Sequence, residues 1–241
     1  MRKEIPVRGK DGLTEAETEV LLRSRLFEGI RKEELSVLLP CLKARKALYR
    51  KGELVFRMGE KSHDAGLVLS GSLHSQWYSY DGKRHIVSAF LPGDIVGVNY
   101  AAAGDEVPNV DLESEEETRL LLLDFASLLS PCAKSCPFHS RLIDNLVLLL
   151  ARWNIALKEK LTVVLQPTLK DKILSYLAME SYRQHSRSFE IPFDRQQLAD
   201  FLNAERSALS HELSLLRKEG LIDFEKNRFR LLWAGNPEKL G

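Results

Sequence analysis

FDRQQLADFLNAERSALSHELSLLRKEGLIDFEKNRFRLL, residues 193–232, is the stretch on which the fold turns. Asp194 is followed three residues later by Gln197, an Asp form of the capping box, in which two side chains satisfy amides left open at a helix start. Leu198, Ala199 and Leu202 then make the inner face of a first short helix. Asn203 follows where the chain must turn, and asparagine tolerates the left-handed backbone better than most residues. A second helix starts near Glu205, with Leu209, Leu213 and Leu216 at spacings of 4 and 3 facing inward. That leaves Arg206, Ser207, Ser210 and His211 on its outer N-terminal face. Two short helices joined by a tight turn predict a helix-turn-helix, a motif that sets the start of its second helix against base edges. Arginine can grip guanine bidentately, whereas serine and histidine are less committed readers. The segment Ile222–Leu232 predicts a hairpin turning at Lys226-Asn227, whose Arg228 and Arg230 could rest on phosphates.

Upstream lie a helix expected over 168–184 and a short strand near Ser188–Ile191. Before them, Ile143, Leu146, Leu150, Trp153, Leu157, Leu161 and Val164 recur at spacings of 3, 4, 3, 4, 4 and 3. This is a heptad-like seam on a central helix over 137–166, and coiled-coil pairing with a second copy is its direct reading. Leu148, Leu149 and Ile155 lie off the seam, so the same helix is also expected to pack on its own domain. Pro137 suits a first helical position, with Ser135 or Cys136 as cap, and Pro167 interrupts the helix.

Between about Ala47 and Leu123 the texture changes to short strands punctuated by glycines, from Gly52 to Gly97. Glu53–Phe56, Leu67–Ser70, Leu73–Tyr78 and His85–Leu91 read as strands, with an Asp81-Gly82 hairpin signal between the last two. Leu120–Leu123 reads as a closing, fully buried strand, and the whole predicts a β-barrel or sandwich. Ahead of it, Glu17–Leu42 predicts two short helices broken at Gly29, the second ended by Pro40.

The 241 residues, 44% hydrophobic and 29% charged, are those of an ordinary globular chain. Lys plus Arg is 35 against 34 for Asp plus Glu, which excludes a general polycation but not a locally basic face. No apolar run approaches the ~20 residues of a membrane span, and the start lacks a secretory h-region, so a cytoplasmic protein without a membrane partner is expected. Three cysteines, Cys41, Cys132 and Cys136, make no disulfide framework. No Ser-His-Asp order, Walker loop, HExxH or dinucleotide fingerprint occurs, and the chain is read as not an enzyme.

KGELVFRMGE, LVLSGSL and FLPGDIVG, followed in order by FDRQQLADFLNAERSALSHELSLLRKEGLI, resemble the CRP/FNR (cyclic-AMP receptor protein/fumarate-nitrate regulator) family of bacterial transcription factors. The resemblance runs from about Phe27 to Leu232. It implies an α+β fold with an N-terminal cyclic-nucleotide-binding-like β-roll, a long central dimerisation helix and a C-terminal winged helix-turn-helix. On this sequence those parts are expected at 17–136, 137–166 and 167–235. It implies Arg206, Ser207 and His211 as base readers, with Arg195 and Gln196 near the backbone. Double-stranded DNA, a second copy of the chain, RNA polymerase and an unidentified small-molecule effector are the partners implied. Ser207 stands where the family commonly has Glu and His211 where it commonly has Arg, so a different DNA sequence is expected.

Cyclic-nucleotide members hold the ribose with Gly-Glu and the phosphate with Arg-Ser. Here the matching residues are Gly97-Val98 and Asn109-Val110, and the segment is crowded with acids. A phosphate needs a cation or clustered amides to offset its desolvation, so cyclic AMP is not expected as the effector. The remaining wall of Val98, Asn99, Tyr100 and Trp153 suggests an apolar or aromatic small molecule, haem, or no ligand. Two further readings stay open: a redox- or metal-sensing member using Cys132 and Cys136, with His139 three residues on, and a ligand-binding module whose winged helix docks a protein.

Overall fold

The computed structural model describes residues 4–7, 12–81, 84–104, 106–130 and 137–233. Contacts divide the chain into two units, residues 1–150 and 151–241.

In the first unit, strand β1 (Glu4–Pro6) is followed by helix α1 (Glu15–Arg23), a 3₁₀ turn (Arg25–Phe27) and helix α2 (Lys32–Cys41). Thr14 and Glu17 cap α1 reciprocally, and Gly29 takes φ +73° between the two helices. Pro40 does not end α2; it lies inside it, one residue before the end. A proline there loses only its own amide bond, while its carbonyl still accepts from the Lys43 amide at 3.1 Å.

Strands β2 (Arg45–Tyr49), β3 (Leu54–Phe56), β4 (Asp64–Ser70), β5 (Leu73–Tyr78), β6 (Arg84–Phe90), β7 (Ile95–Val96), β8 (Asp111–Ser114) and β9 (Thr118–Asp124) form two antiparallel sheets, in the orders β1-β2-β9-β4-β7 and β3-β8-β5-β6. The run Leu120–Leu123 explains how they pack. Side chains alternate along a strand, so Leu121 and Leu123 join the helix-side core while Leu120 and Leu122 join the core drawn from both sheets. Burial of such leucines supplies about 1.5–3 kcal/mol each. Helix α3 (Val98–Ala103), absent from the sequence reading, fills the β7–β8 connection, and α4 (Phe125–Leu129) follows β9. The 28-residue helix α5 (Pro137–Val164) begins at Pro137 as expected; its suggested caps Ser135 and Cys136 lie outside the described residues.

The second unit contains the end of α5, α6 (Leu169–Arg183), β10 (Ser188–Glu190), α7 (Arg195–Phe201), α8 (Arg206–Lys218), β11 (Ile222–Glu225) and β12 (Arg228–Leu231). Its sheet runs β10-β12-β11. Leu198, Leu202, Leu209, Leu213 and Leu216 meet Ile173 and Leu177 of α6 and Phe229 of β12 in one core. No described helix is long and apolar enough to cross a membrane.

Candidate nucleic-acid interface and sensor cavity

The local chemistry of α7 and α8 sets the first surface. The Gln197 amide donates to Asp194 Oδ1 at 2.8 Å, and the Asp194 amide donates to Gln197 Oε1 at 2.8 Å, completing the capping box. Asn203 takes φ +50° in the turn. With Leu209, Leu213 and Leu216 fully buried, Arg206, Ser207, Ser210 and His211 are exposed together over the first turns of α8. Arg206 forms no ion pair with any described residue.

Arg195 is half-buried beside them. Its guanidinium lies 5.2 Å from the Phe224 ring centroid and donates to the Lys226 carbonyl at 3.2 Å. Burial, and then the neighbouring Arg206 charge, lower its pKa from the ordinary guanidinium value; it stays cationic at neutral pH. Gln196 is exposed but turned back on its own helix, with Nε2 donating to Asp200 Oδ1 at 2.8 Å.

The hairpin turns at Lys226-Asn227, with Glu225 opposite Arg228 and Lys226 at φ +53°. Asn227 Nδ2 ties its tip back to Glu190 Oε1 at 2.9 Å and to the Ile191 carbonyl at 3.2 Å. Arg228 is exposed and only loosely paired, 3.6 Å from Glu190. Arg217, not singled out from sequence, sits 4.0 Å over Phe224 and pairs with Asp223 at 2.9 Å. Its i+6 spacing to Asp223 across a turn carries no helical or strand period that would have revealed it.

The first unit holds a cavity of about 510 Å³. Gly97, Asn99, Tyr100, Asn109 and Val110 line it, as the sequence suggested. The Tyr100 hydroxyl donates to Asn109 Oδ1 at 2.6 Å, joining α3 to the loop before β8. Gly97 has φ +75°, and a Cβ there would collide with the Phe56 ring, so glycine is required both by the backbone and by the ring. Val98 does not face the cavity. It is fully buried in the helix-side core, because two steps along α3 separate it from Tyr100, a rotation of ~200° that turns it to the opposite side of the helix. Trp153 is not a wall residue of this cavity: it belongs to the second unit, exposed on α5. The rest of the wall comes from Phe56, Trp77, Tyr78, Val87, Ser88 and Phe90 among others, which the sequence reading missed.

Along α5, Ile143 and Leu150 are half-buried and Leu146 is buried in the first unit's core. Trp153, Leu157 and Leu161 are exposed, as are Val147, Leu148 and Ile155. His139 is buried, with Nε2 donating to the Leu128 carbonyl at 2.9 Å. Cys132 and Cys136 lie outside the described residues, and Cys41 is half-buried at the end of α2. His74 sits 3.0 Å from Glu115.

Two family models match the chain: a cyclic nucleotide-binding domain over residues 46–135 and a Crp-like helix-turn-helix domain over 171–240. The transcriptional activator protein FnrL of Cereibacter sphaeroides is 24% identical over 195 residues, covering 75% of this chain and 73% of that protein. The transcriptional activator protein FnrA of Stutzerimonas stutzeri is 22% identical over 188 residues, covering 76% of this chain and 75% of that protein. Among solved structures, a cyclic nucleotide-binding domain from Methylobacillus flagellatus shares the fold at TM-score 0.50 and 18% identity, over 63% of this chain and 84% of that one. A β-roll of this type joined to a winged helix-turn-helix defines a DNA-binding transcription regulator. The chain belongs to the CRP/FNR family.

Proposed function

We propose that this regulator acts as a homodimer on palindromic DNA sites, under control of a small-molecule signal received in the β-roll. The observation that carries the reading is the exposed cluster of Arg206, Ser207, Ser210 and His211 at the start of α8, with the Arg206 charge unpaired among the described residues. In this reading Arg206 takes a base edge, Ser207, Ser210 and His211 adjust to it, and Arg195, Gln196 and Arg228 hold phosphates and fix the register. Residues 17–136 serve as sensor, 137–166 as dimerisation helix and 167–235 as DNA-binding domain. The exposed apolar side chains of α5, Leu157 and Leu161 among them at 58% and 49%, support pairing with a second copy.

The effector is not cyclic AMP, a reading supported by the lack of any charged side chain among the described residues of the cavity wall. The effector favours one arrangement of the paired helices, which sets the spacing of the two recognition helices and hence affinity for the operator. RNA polymerase is the expected partner on the promoter, and the cytoplasm the expected compartment.

Binding to a labelled duplex library at increasing salt tests the reading. Selective binding that weakens steeply with salt is expected, since each neutralised phosphate releases counterions. Salt-insensitive or absent duplex binding would overturn it. Sedimentation equilibrium on the same protein should give a dimer, and a monomer at micromolar concentration would remove the palindromic-site model.

A further inference from the structure

The first unit's cavity has a definite chemistry. Its volume, about 510 Å³, falls within the ~300–1,000 Å³ of small-molecule sites. The wall is largely apolar, with aromatic side chains from Phe56, Trp77, Tyr78, Phe90 and Tyr100. Its polar side chains are neutral serine hydroxyls, asparagine amides, phenols and an indole, and among the described residues no Lys, Arg, His, Asp or Glu side chain lines it. A β-bulge adds to the apolar surface. Ser75 pairs with Ser88 and Gln76 with Ile86, so Val87 is the extra residue on β6, and Val87 and Ser88 both line the cavity. Trp77, Tyr78 and Val87 remain 43%, 53% and 51% exposed, leaving apolar area that folding of this unit does not cover.

An anion entering this wall would lose hydration with no counter-charge to replace it. A neutral ring would gain from covering the aromatic surface. Because Asn109 Oδ1 already accepts from Tyr100, Asn109 is oriented with its amide N–H groups as its donors toward a ligand's oxygen.

We infer that this cavity binds an uncharged aromatic small molecule, stacked against Trp77 and Tyr78 with its acceptor atom toward Asn109. This rests on the reading of the first unit as the sensor. It goes beyond that reading in fixing the ligand's charge and shape.

The test uses the full chain and two fluorescent probes that share one skeleton, neutral N-phenylnaphthylamine and its sulfonated counterpart anilinonaphthalene sulfonate. The neutral probe should bind saturably, one per chain, and about tenfold or more tighter than the sulfonate, with cyclic AMP unable to displace it. Trp77→Ala should weaken the neutral probe about tenfold through loss of stacking and covered area. Val87→Arg, at the exposed bulge residue, should shift the preference toward the sulfonate. Absence of saturable binding, equal or tighter binding of the sulfonate by the natural chain, displacement by cyclic AMP, or indifference to both substitutions would overturn the inference. Duplex binding is measured on the same samples. Salt-dependent duplex binding without probe binding sinks the cavity inference and leaves the regulator standing; probe binding without duplex binding does the reverse.

Discussion

The surface of α8 and the cavity under β5–β6, the two sites proposed for DNA and for a small molecule, are built of opposite materials. At α8 the groups are a guanidinium, two hydroxyls and an imidazole, exposed, and contributed by one short stretch of chain from Arg206 to His211. In the cavity they are aromatic and neutral, partly covered, and drawn from β3, β5, β6, α3 and the loop before β8. A polyanion offers charge everywhere, so a short charged segment suffices to meet it. A small neutral molecule offers only shape and a few polar atoms, so it must be enclosed by segments that are far apart in sequence.

That difference governs what the sequence disclosed. The winged helix announced itself through local rules: Asp194 with Gln197, Asn203 at positive φ, and leucines at 209, 213 and 216. Each is decided within about four residues, the range over which helix capping and periodicity act. The cavity depends on register between strands, which local patterning does not set: Trp77 and Val87 come together only because β5 pairs with β6 around a bulge. Strands β1, β2, β7 and β8 escape the local patterning for the same reason, being short and stabilised by non-local pairing, whereas the helical period beginning at Asp124 marks α4 in the sequence. The match of Val98 to a ribose-binding position predicts a place on the cavity wall, but the helical turn of α3 carries it to the core instead.

The largest effect expected is on the separateness of the two units' cores. Leu213 is fully buried in the second unit's single cluster, so Leu213→Ala should destabilise that unit by roughly 2–5 kcal/mol. Native-state hydrogen exchange read by mass spectrometry should show faster exchange in α6 and α8, with β4 and β9 unchanged. Equal acceleration of β9 would show that the two units unfold as one.

A smaller effect, on binding rather than folding, sharpens the contrast at the DNA surface. Arg206 is exposed and unpaired among the described residues, so its removal leaves stability near that of the natural chain. Arg206→Ala should cost about 1–3 kcal/mol against the preferred duplex, roughly fivefold to 150-fold, and relax selectivity at one base pair of each half-site. Arg228→Ala should instead weaken all duplexes alike and reduce the salt slope by about one, as expected of a phosphate contact. If the two substitutions behave identically across a duplex library, the division into a base reader and a phosphate clamp fails.

The smallest effect separates the units by pH. Asp124 caps α4 in the first unit: its carboxylate accepts from the Ser127 hydroxyl and, at 2.8 Å, from the Ser127 amide, and faces Lys43 Nζ at 3.3 Å. The Ser127 hydroxyl foremost, then the Ser127 amide and Lys43, hold its pKa below the ordinary carboxylate value against the opposing pull of partial burial. A carboxyl whose pKa is lower folded than unfolded binds fewer protons in the native state, so folding gains from it at neutral pH. That gain is complete above the ordinary carboxylate pKa of about 3.9 and disappears as pH falls through the depressed native value. Between those two values, exchange protection of β9 and α4 should therefore decline with acid in the natural chain more steeply than in Asp124→Asn. The α8 amides, in a unit with its own core, should show no difference between the two proteins over the same window. A matching difference at α8 would mean that the cap's proton is felt through the whole chain, and the two regions would then have to be treated as one cooperative body.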